Sequence, residues 1–333
     1  MNKTDLIRAT KIQSLFRPFA GIGHVMLFHS VTNDFSKFNQ SIQVSPGYIE
    51  GVLEYFTSSK TDIVTLDECY NRLNEKGRTR RFVAFTFDDG YADNLTNALP
   101  LFEKYNAPFT LFLTTGFPDH SIVILWSLLE EFVLSDDDIQ FEHEGNILNY
   151  RNKTLNEKRE SFFNIRNLLR RCSAGNFIPV LKKIFNKDED EIYEPTRRLA
   201  LTWDQVRFLS SHPLVTIGAH TVNHQNLKTL REEEVISEIR VSAGKIEEIT
   251  GKQVDYFAYP FGGIAEAAGR EYRIARACGL KMAFTANNGS LFKYHSAKLF
   301  SLPRLTLNEN WTVSHIDLYV NGLTPLLNRL GLK

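Results

Sequence analysis

The chain has 333 residues, 43% of them hydrophobic and 23% charged, enough to bury a large core as one elaborated domain or two smaller ones. Lys plus Arg (39) equals Asp plus Glu (39), so the formal net charge is zero, and with no dense basic stripe a protein that works by neutralising nucleic-acid phosphates is excluded. Cys69, Cys172 and Cys278 are odd in number and far apart, which argues against a disulfide framework or a thiolate metal site; each is expected to be a buried structural residue in a reducing compartment.

Residues 1–22 read as an N-terminal helical segment. Leu6, Ile7, Ile12, Leu15, Phe16 and Phe19, with Arg8, Lys11 and Arg17, form a basic amphipathic pattern suited to packing on its own domain or to lying on a membrane surface. Polar residues break this stretch too often for a secretory signal, and no run of about 20 apolar residues occurs elsewhere, so a cytoplasmic protein is expected. The first predicted strand, His24–Val31, and the second, Phe82–Phe87, are short and continuously apolar, as strands covered on both faces should be. Phe109–Thr114, Leu214–Ala219, Tyr256–Tyr259 and Met282–Ala286 follow the same pattern, with helical stretches between most of them. That alternation predicts an α/β protein with a parallel sheet.

Asp88-Asp89-Gly90 ends the second strand. Asp-Gly is a common turn, but two adjacent carboxylates raise one another's pKa unless a cation lies between them, so the fragment reads as a turn or as a site. Residues 117–197 change the rhythm: helix-like pieces at Ile124–Leu134, Leu155–Cys172 and Ile178–Phe185 predict a mostly helical insertion. Around Trp126 and Phe132 it reads either as a lid or as a structural appendage. His220-Thr221-Val222-Asn223-His224 follows the fourth strand; in a helical turn its two imidazoles would share a face and meet one ion. The clearest helix is expected from Leu230 to Thr250, capped by Thr229 with Glu232 closing a capping box, carrying Val235, Ile239, Ala243 and Ile246 on one stripe and ending at Gly251. Tyr259-Pro260-Phe261-Gly262-Gly263 then forms a tight turn where a main-chain N–H can donate to a developing oxyanion. Residues 311–333 read as a C-terminal helical segment.

Taken together, TFDDG, HTVNH and YPFG, with LTWD leading into VTIGAH, resemble the motifs of the polysaccharide deacetylase (NodB-homology, carbohydrate esterase 4) family over roughly residues 23–115 and 198–306. The resemblance implies a distorted (β/α) barrel of about seven strands spanning 23–310, interrupted by the insertion. It implies Asp88 as general base and Asp89, His220 and His224 as ligands of a divalent metal, zinc or else cobalt, nickel or iron. The Phe261 N–H would hold the oxyanion, and Tyr259, Pro260 and Trp203 would contact substrate. Ala258 stands where the family carries an arginine that orients the base; Arg304 is the candidate substitute. No Leu-x-His follows the proline turn, whereas Leu27-Phe28-His29 matches that pattern near the start of the chain. A permuted motif order would bring His29 into the same pocket as general acid. The other histidines (His24, His120, His143, His212, His295 and His315) read as surface or structural. The implied reaction is hydrolysis of the N-acyl group of an amino sugar, with a nucleotide- or lipid-linked substrate expected. The alternatives are a deformylase or amidase of another small amide, or a sugar-binding protein that has lost catalysis.

Overall fold

The computed structural model describes residues 12–59, 61–169 and 177–331; Leu6, Ile7, Arg8, Lys11 and Cys172 lie outside them. The chain divides into two compact units. One is built from the chain up to Asn33, Ser41–Gly116 and everything from Leu201 onward, the other from Asp34–Gln40 and Phe117–Ala200.

The first unit is a closed barrel of seven parallel strands: β1 (Gly23–Phe28), β2 (Phe82–Asp89), β3 (Phe109–Leu113), β4 (Val215–Ala219), β5 (Tyr256–Ala258), β6 (Met282–Asn288) and β7 (Leu302–Thr306). They neighbour one another in chain order, and β1 closes the ring by pairing with both β2 and β7. The seven-strand (β/α) barrel anticipated from the sequence is the fold found.

Side chains alternate across each strand, and two clusters record the alternation. Phe82 and Ala84 of β2 join Val25, Phe112, Tyr256 and Phe284 inside the barrel. Val83, Phe85 and Phe87 of the same strand belong to the layer between sheet and helices. There Phe87 packs edge-on against Phe102 and Phe109, with ring centroids 5.6 and 5.2 Å away. The same parity carries Thr86 and Asp88 to the inner face of β2. With Leu302 inside and Leu305 outside, it also puts Arg304 on the inner face of β7.

The long helix begins at Glu232, not Leu230: the Arg231 N–H donates to the Glu234 carboxylate, and Thr229 closes a short turn by donating its hydroxyl to the Asn226 carbonyl. It ends as anticipated on Gly251, whose φ of 67° is the left-handed cap conformation. Val235, Ile239 and Ile246 are fully buried beneath it. Cys69 is buried and unpaired, whereas Cys278 is only partly buried. Residues 12–19 form a 3-10 helix, and the main chain at Phe16 and Ala20 lies against Gly322, between the two C-terminal helices Val313–Val320 and Leu323–Arg329. Among the described residues no helix is long and apolar enough to cross a membrane.

The second unit contains helices Leu125–Ser135, Leu155–Leu169, Phe177–Phe185 and Glu189–Leu199 around its own core, into which Trp126 and Phe132 pack. It also contains an antiparallel hairpin, Asp138–His143 with Asn146–Arg151, which the expectation of a mostly helical insertion did not include. Its signal is faint: Ile139 and Phe141 alternate with polar residues, and Glu144-Gly145, both at positive φ, make the turn.

Gly218 marks a place of tight packing inside the barrel. A Cβ there would lie 2.6 Å from the Phe112 ring and 2.9 Å from the Tyr256 carbonyl oxygen. Gly218→Ala is therefore expected to destabilise the fold by about 1–3 kcal/mol, read as a lower urea midpoint; an unchanged midpoint would mean that the ring yields freely.

Candidate active site

The inner ends of β2, β4, β5 and β7 deliver the polar groups of the site. Arg304 is fully buried and grips Asp88 with two parallel bonds, Nη1 to Oδ1 at 2.6 Å and Nη2 to Oδ2 at 2.7 Å. Its Nε donates to the Thr285 carbonyl at 2.9 Å and Nη1 also reaches the Thr86 hydroxyl at 3.3 Å. The arginine missing at Ala258 is thus supplied from β7. Thr86 opens the TFDDG motif but was given no role there, although strand parity alone puts it beside Asp88.

Asp88 and Asp89 are consecutive on a strand and would normally point to opposite faces. Asp89, however, has φ 76°, and the Gly90 N–H donates back to the Asp88 carbonyl at 3.0 Å, closing a strained γ-turn. The turn brings the two carboxylates together: His220 Nε2 lies 3.8 Å from Asp88 Oδ2 and 3.5 Å from Asp89 Oδ1, while His224 Nε2 lies 3.2 Å from Asp89 Oδ1.

The two histidines converge, but not by way of a helical turn. Thr221 and His224 have φ of 69° and 49°, so the segment is an irregular loop. It is pinned on every side. The His220 N–H donates to Leu113, the Thr221 and Val222 carbonyls accept from Thr115 and Gly116, and the His224 N–H donates to the Thr221 hydroxyl. Glu238 of the helix Glu232–Thr250 accepts from the N–H groups of Val222 and Asn223, at 2.9 Å each. His220 Nδ1 is 2.8 Å from the Ala258 carbonyl, which fixes that nitrogen as the N–H and leaves Nε2 with its lone pair.

Electrostatics match this donor set. Burial on its own would raise both carboxyls; at Asp88 the Arg304 guanidinium leads the groups that outweigh it, and at Asp89 His224 does, so both lie below the ordinary carboxylate range. Burial pushes His220 down to about 4, leaving a neutral imidazole at neutral pH, the form that ligates a metal. Asp89, His220 and His224 offer ligand atoms that all lie within 4.8 Å of one another. Asp89 Oδ1 is buried without a hydrogen bond. Ligand atoms about 2.0–2.2 Å from a tetrahedral ion lie roughly 3.3 Å apart, close to the 3.2 and 3.5 Å separations found here. These three residues fit a divalent metal.

The remaining candidates divide. His29 leaves β1 next to the site, close enough for its charge to act on Asp88 and Asp89. Its carbonyl accepts from Asn94 and the Ser30 hydroxyl donates to Asp93, so the loops after β1 and β2 are tied together. Phe261 is 38% exposed, packs edge-on against His224 with centroids 4.7 Å apart, and has φ 60° in a second γ-turn, closed from the Gly262 N–H to the buried Pro260. Gly262 is required there, because a Cβ would lie 2.3 Å from the Ala286 nitrogen. Tyr259 and Trp203 are corrections. Tyr259 is wholly buried between sheet and helices, against Phe257 and Tyr272, with its hydroxyl donated to the Phe300 carbonyl. Trp203 packs against the same layer, under the Lys245 ammonium. Odd–even alternation on β5 turns Tyr259 away from the barrel interior.

Solved structures resemble this one. The Streptococcus pyogenes deacetylase PplD in complex with acetate aligns with a TM-score of 0.60 at 17% identity, covering 89% of this chain and 97% of that one. IcaB from Ammonifex degensii aligns with 0.57 at 16% identity, covering 90% and 97%. The de-N-acetylase from Aggregatibacter actinomycetemcomitans aligns with 0.55 at 16% identity, covering 89% and 99%. At such identities the likeness establishes the fold. No curated protein sequence matches significantly. The family model for polysaccharide deacetylase, however, matches residues 75–283, a stretch that holds the carboxylate pair, the histidine pair and the proline turn, and the chain belongs to that family.

Proposed function

We propose that this protein is a metal-dependent hydrolase that removes the N-acyl group, in the first instance N-acetyl, from an amino sugar. The observation that carries this reading is the pairing of two unlike carboxylates. Asp88 is clamped by Arg304, while the neighbouring Asp89 is turned toward the imidazoles of His220 and His224 with an oxygen left unbonded.

Asp89, His220 and His224 would hold the ion, zinc being the first choice and cobalt, nickel or iron the alternatives. Bound there, a divalent cation supplies Lewis-acid polarisation of the acyl carbonyl and lowers the pKa of water. Arg304 uses one lone pair on each Asp88 oxygen, so the ionised carboxylate keeps others with which to accept the proton of the attacking water. His29 is our candidate to return a proton to the departing amine. The main-chain N–H of Phe261 is our candidate donor to the acyl oxygen as charge develops on it. The exposed Phe261 ring flanks the same centre and would meet the sugar.

A nucleotide- or lipid-linked amino sugar in the cytoplasm is the substrate class we favour, since the unpaired Cys69 and Cys278 suit a reducing compartment. For the lipid-linked case, contact with the inner membrane face through the amphipathic N-terminal stretch is part of the proposal. Co-sedimentation with anionic liposomes should then fall when residues 1–20 are removed, and equal or absent binding by both forms rejects the contact.

Elemental analysis of the pure protein should find a stoichiometric divalent metal that His220→Ala loses. Asp88→Asn should retain the metal while turnover of an acetylated amino sugar drops by about 10²- to 10⁴-fold. Sugar binding by both proteins without turnover by the parent would instead identify a binding protein. The base must be ionised, so activity is lost as pH falls through the Asp88 pKa. Arg304→Lys replaces the fork by a point charge and lets that pKa rise, so the acid limb of kcat/KM should move to higher pH; an unmoved limb would show that Arg304 does not set it.

A further inference from the structure

Glu238 lies outside the motifs, on the helix Glu232–Thr250, and is only 7% exposed. It sits three residues after Val235 and four before Ser242, on the helix face that is otherwise fully buried and uncharged. A carboxylate there is costly unless it is fully hydrogen-bonded. Its bonds all go to one place. Oε2 accepts from the main-chain N–H groups of both Val222 and Asn223, and Oε1 accepts from the Asn223 side-chain amide at 2.5 Å. These donors lie inside the five-residue loop that begins with His220 and ends with His224.

That loop does not have a conformation it would hold by itself. Thr221 and His224 are in the left-handed region, a β-branched residue among them, and each such position costs about 1–3 kcal/mol unless its surroundings impose it. The neighbouring strand ties down Leu113 to His220 and the Thr221 and Val222 carbonyls, but the N–H groups at the crest of the loop point to Glu238.

We infer that Glu238 is a positioning residue: by accepting the loop's crest donors it holds His220 and His224 in the arrangement that binds the metal, and it does so through the reach of its oxygens, not through its charge. This rests on the proposed metal role of those histidines. Glu238 contacts main-chain donors of the loop, and a neutral amide of the same length could serve the same bonds. A glutamine oxygen could accept from both N–H groups, and its NH₂ could donate to Asn223 once that side-chain amide is flipped.

Two substitutions separate reach from charge. Glu238→Asp keeps the charge and withdraws the oxygens by one methylene; Glu238→Gln keeps the reach and removes the charge. Zinc affinity of the metal-free proteins, measured by chelator competition, is expected to weaken about 10- to 100-fold in Glu238→Asp and to stay within about threefold of the parent in Glu238→Gln. Hydrogen exchange at the Val222 and Asn223 amides, measured on the metal-free proteins, should be slow in the parent and in Glu238→Gln and accelerated in Glu238→Asp. Parent-like zinc affinity and exchange in Glu238→Asp overturn the inference, as does a Glu238→Gln protein as impaired as Glu238→Asp. If the parent itself binds no zinc, the metal reading fails, and the exchange measurement still decides whether Glu238 holds the loop.

Discussion

A guanidinium with no solvent exposure sits inside the barrel, bonded to a carboxylate from a strand on the far side of β1. Neither charge would be tolerated there alone, because burying one ion unpaired costs several kcal/mol. The pair persists because both partners are satisfied: two parallel bonds to Asp88, one to the Thr285 carbonyl, one to the Thr86 hydroxyl, and the face of Phe112 against the guanidinium at 5.5 Å. β7 must therefore close the ring in the register that brings Arg304 level with Asp88, and the site is built around that constraint. Asp88 is held ionised and immobile by it, which leaves Asp89 as the carboxylate that faces the imidazoles.

The second device is backbone strain concentrated at one place. Of the eight non-glycine residues with positive φ among the described residues, four are Asp89, Thr221, His224 and Phe261, all within the candidate site. Regular strands and helices cannot aim two consecutive aspartates at one point, nor place histidines four apart around an ion when no helix is present. γ-Turns at Asp89 and Phe261 and the left-handed loop at Thr221–His224 do so, each held by hydrogen bonds to a neighbouring element. Local conformational cost is offset by the stability of the barrel around it.

Much of this was legible beforehand. Short, continuously apolar runs separated by helical stretches gave the parallel sheet, because a strand covered on both faces has nowhere to place polar residues; its closure into a barrel came from the motif resemblance. The motif residues Asp88, Asp89, His220 and His224 stood out as polar groups at the ends of such runs, where an α/β barrel gathers its chemistry. Arg304 was legible only as a lone basic residue in the apolar run LPRLTL. The hairpin of the second unit was missed because its inward residues are too few to stand out among polar ones. Tyr259 was misassigned because nearness to a motif along the chain does not say which face of the sheet a side chain occupies.

What the amino-acid order determined by itself is the alternation of hydrophobic and polar character, and with it the strands, the helices, the family and the identity of the chemically active groups. Those are local properties, written in spacing and residue type. Tertiary structure alone decided that an arginine more than two hundred positions away clamps Asp88, that Asp89 turns toward the histidines, and that a glutamate on the following helix accepts from the N–H groups of their loop. The reason is physical: ion pairing, burial and hydrogen-bond satisfaction depend on distance in space, and only closure of the barrel sets those distances.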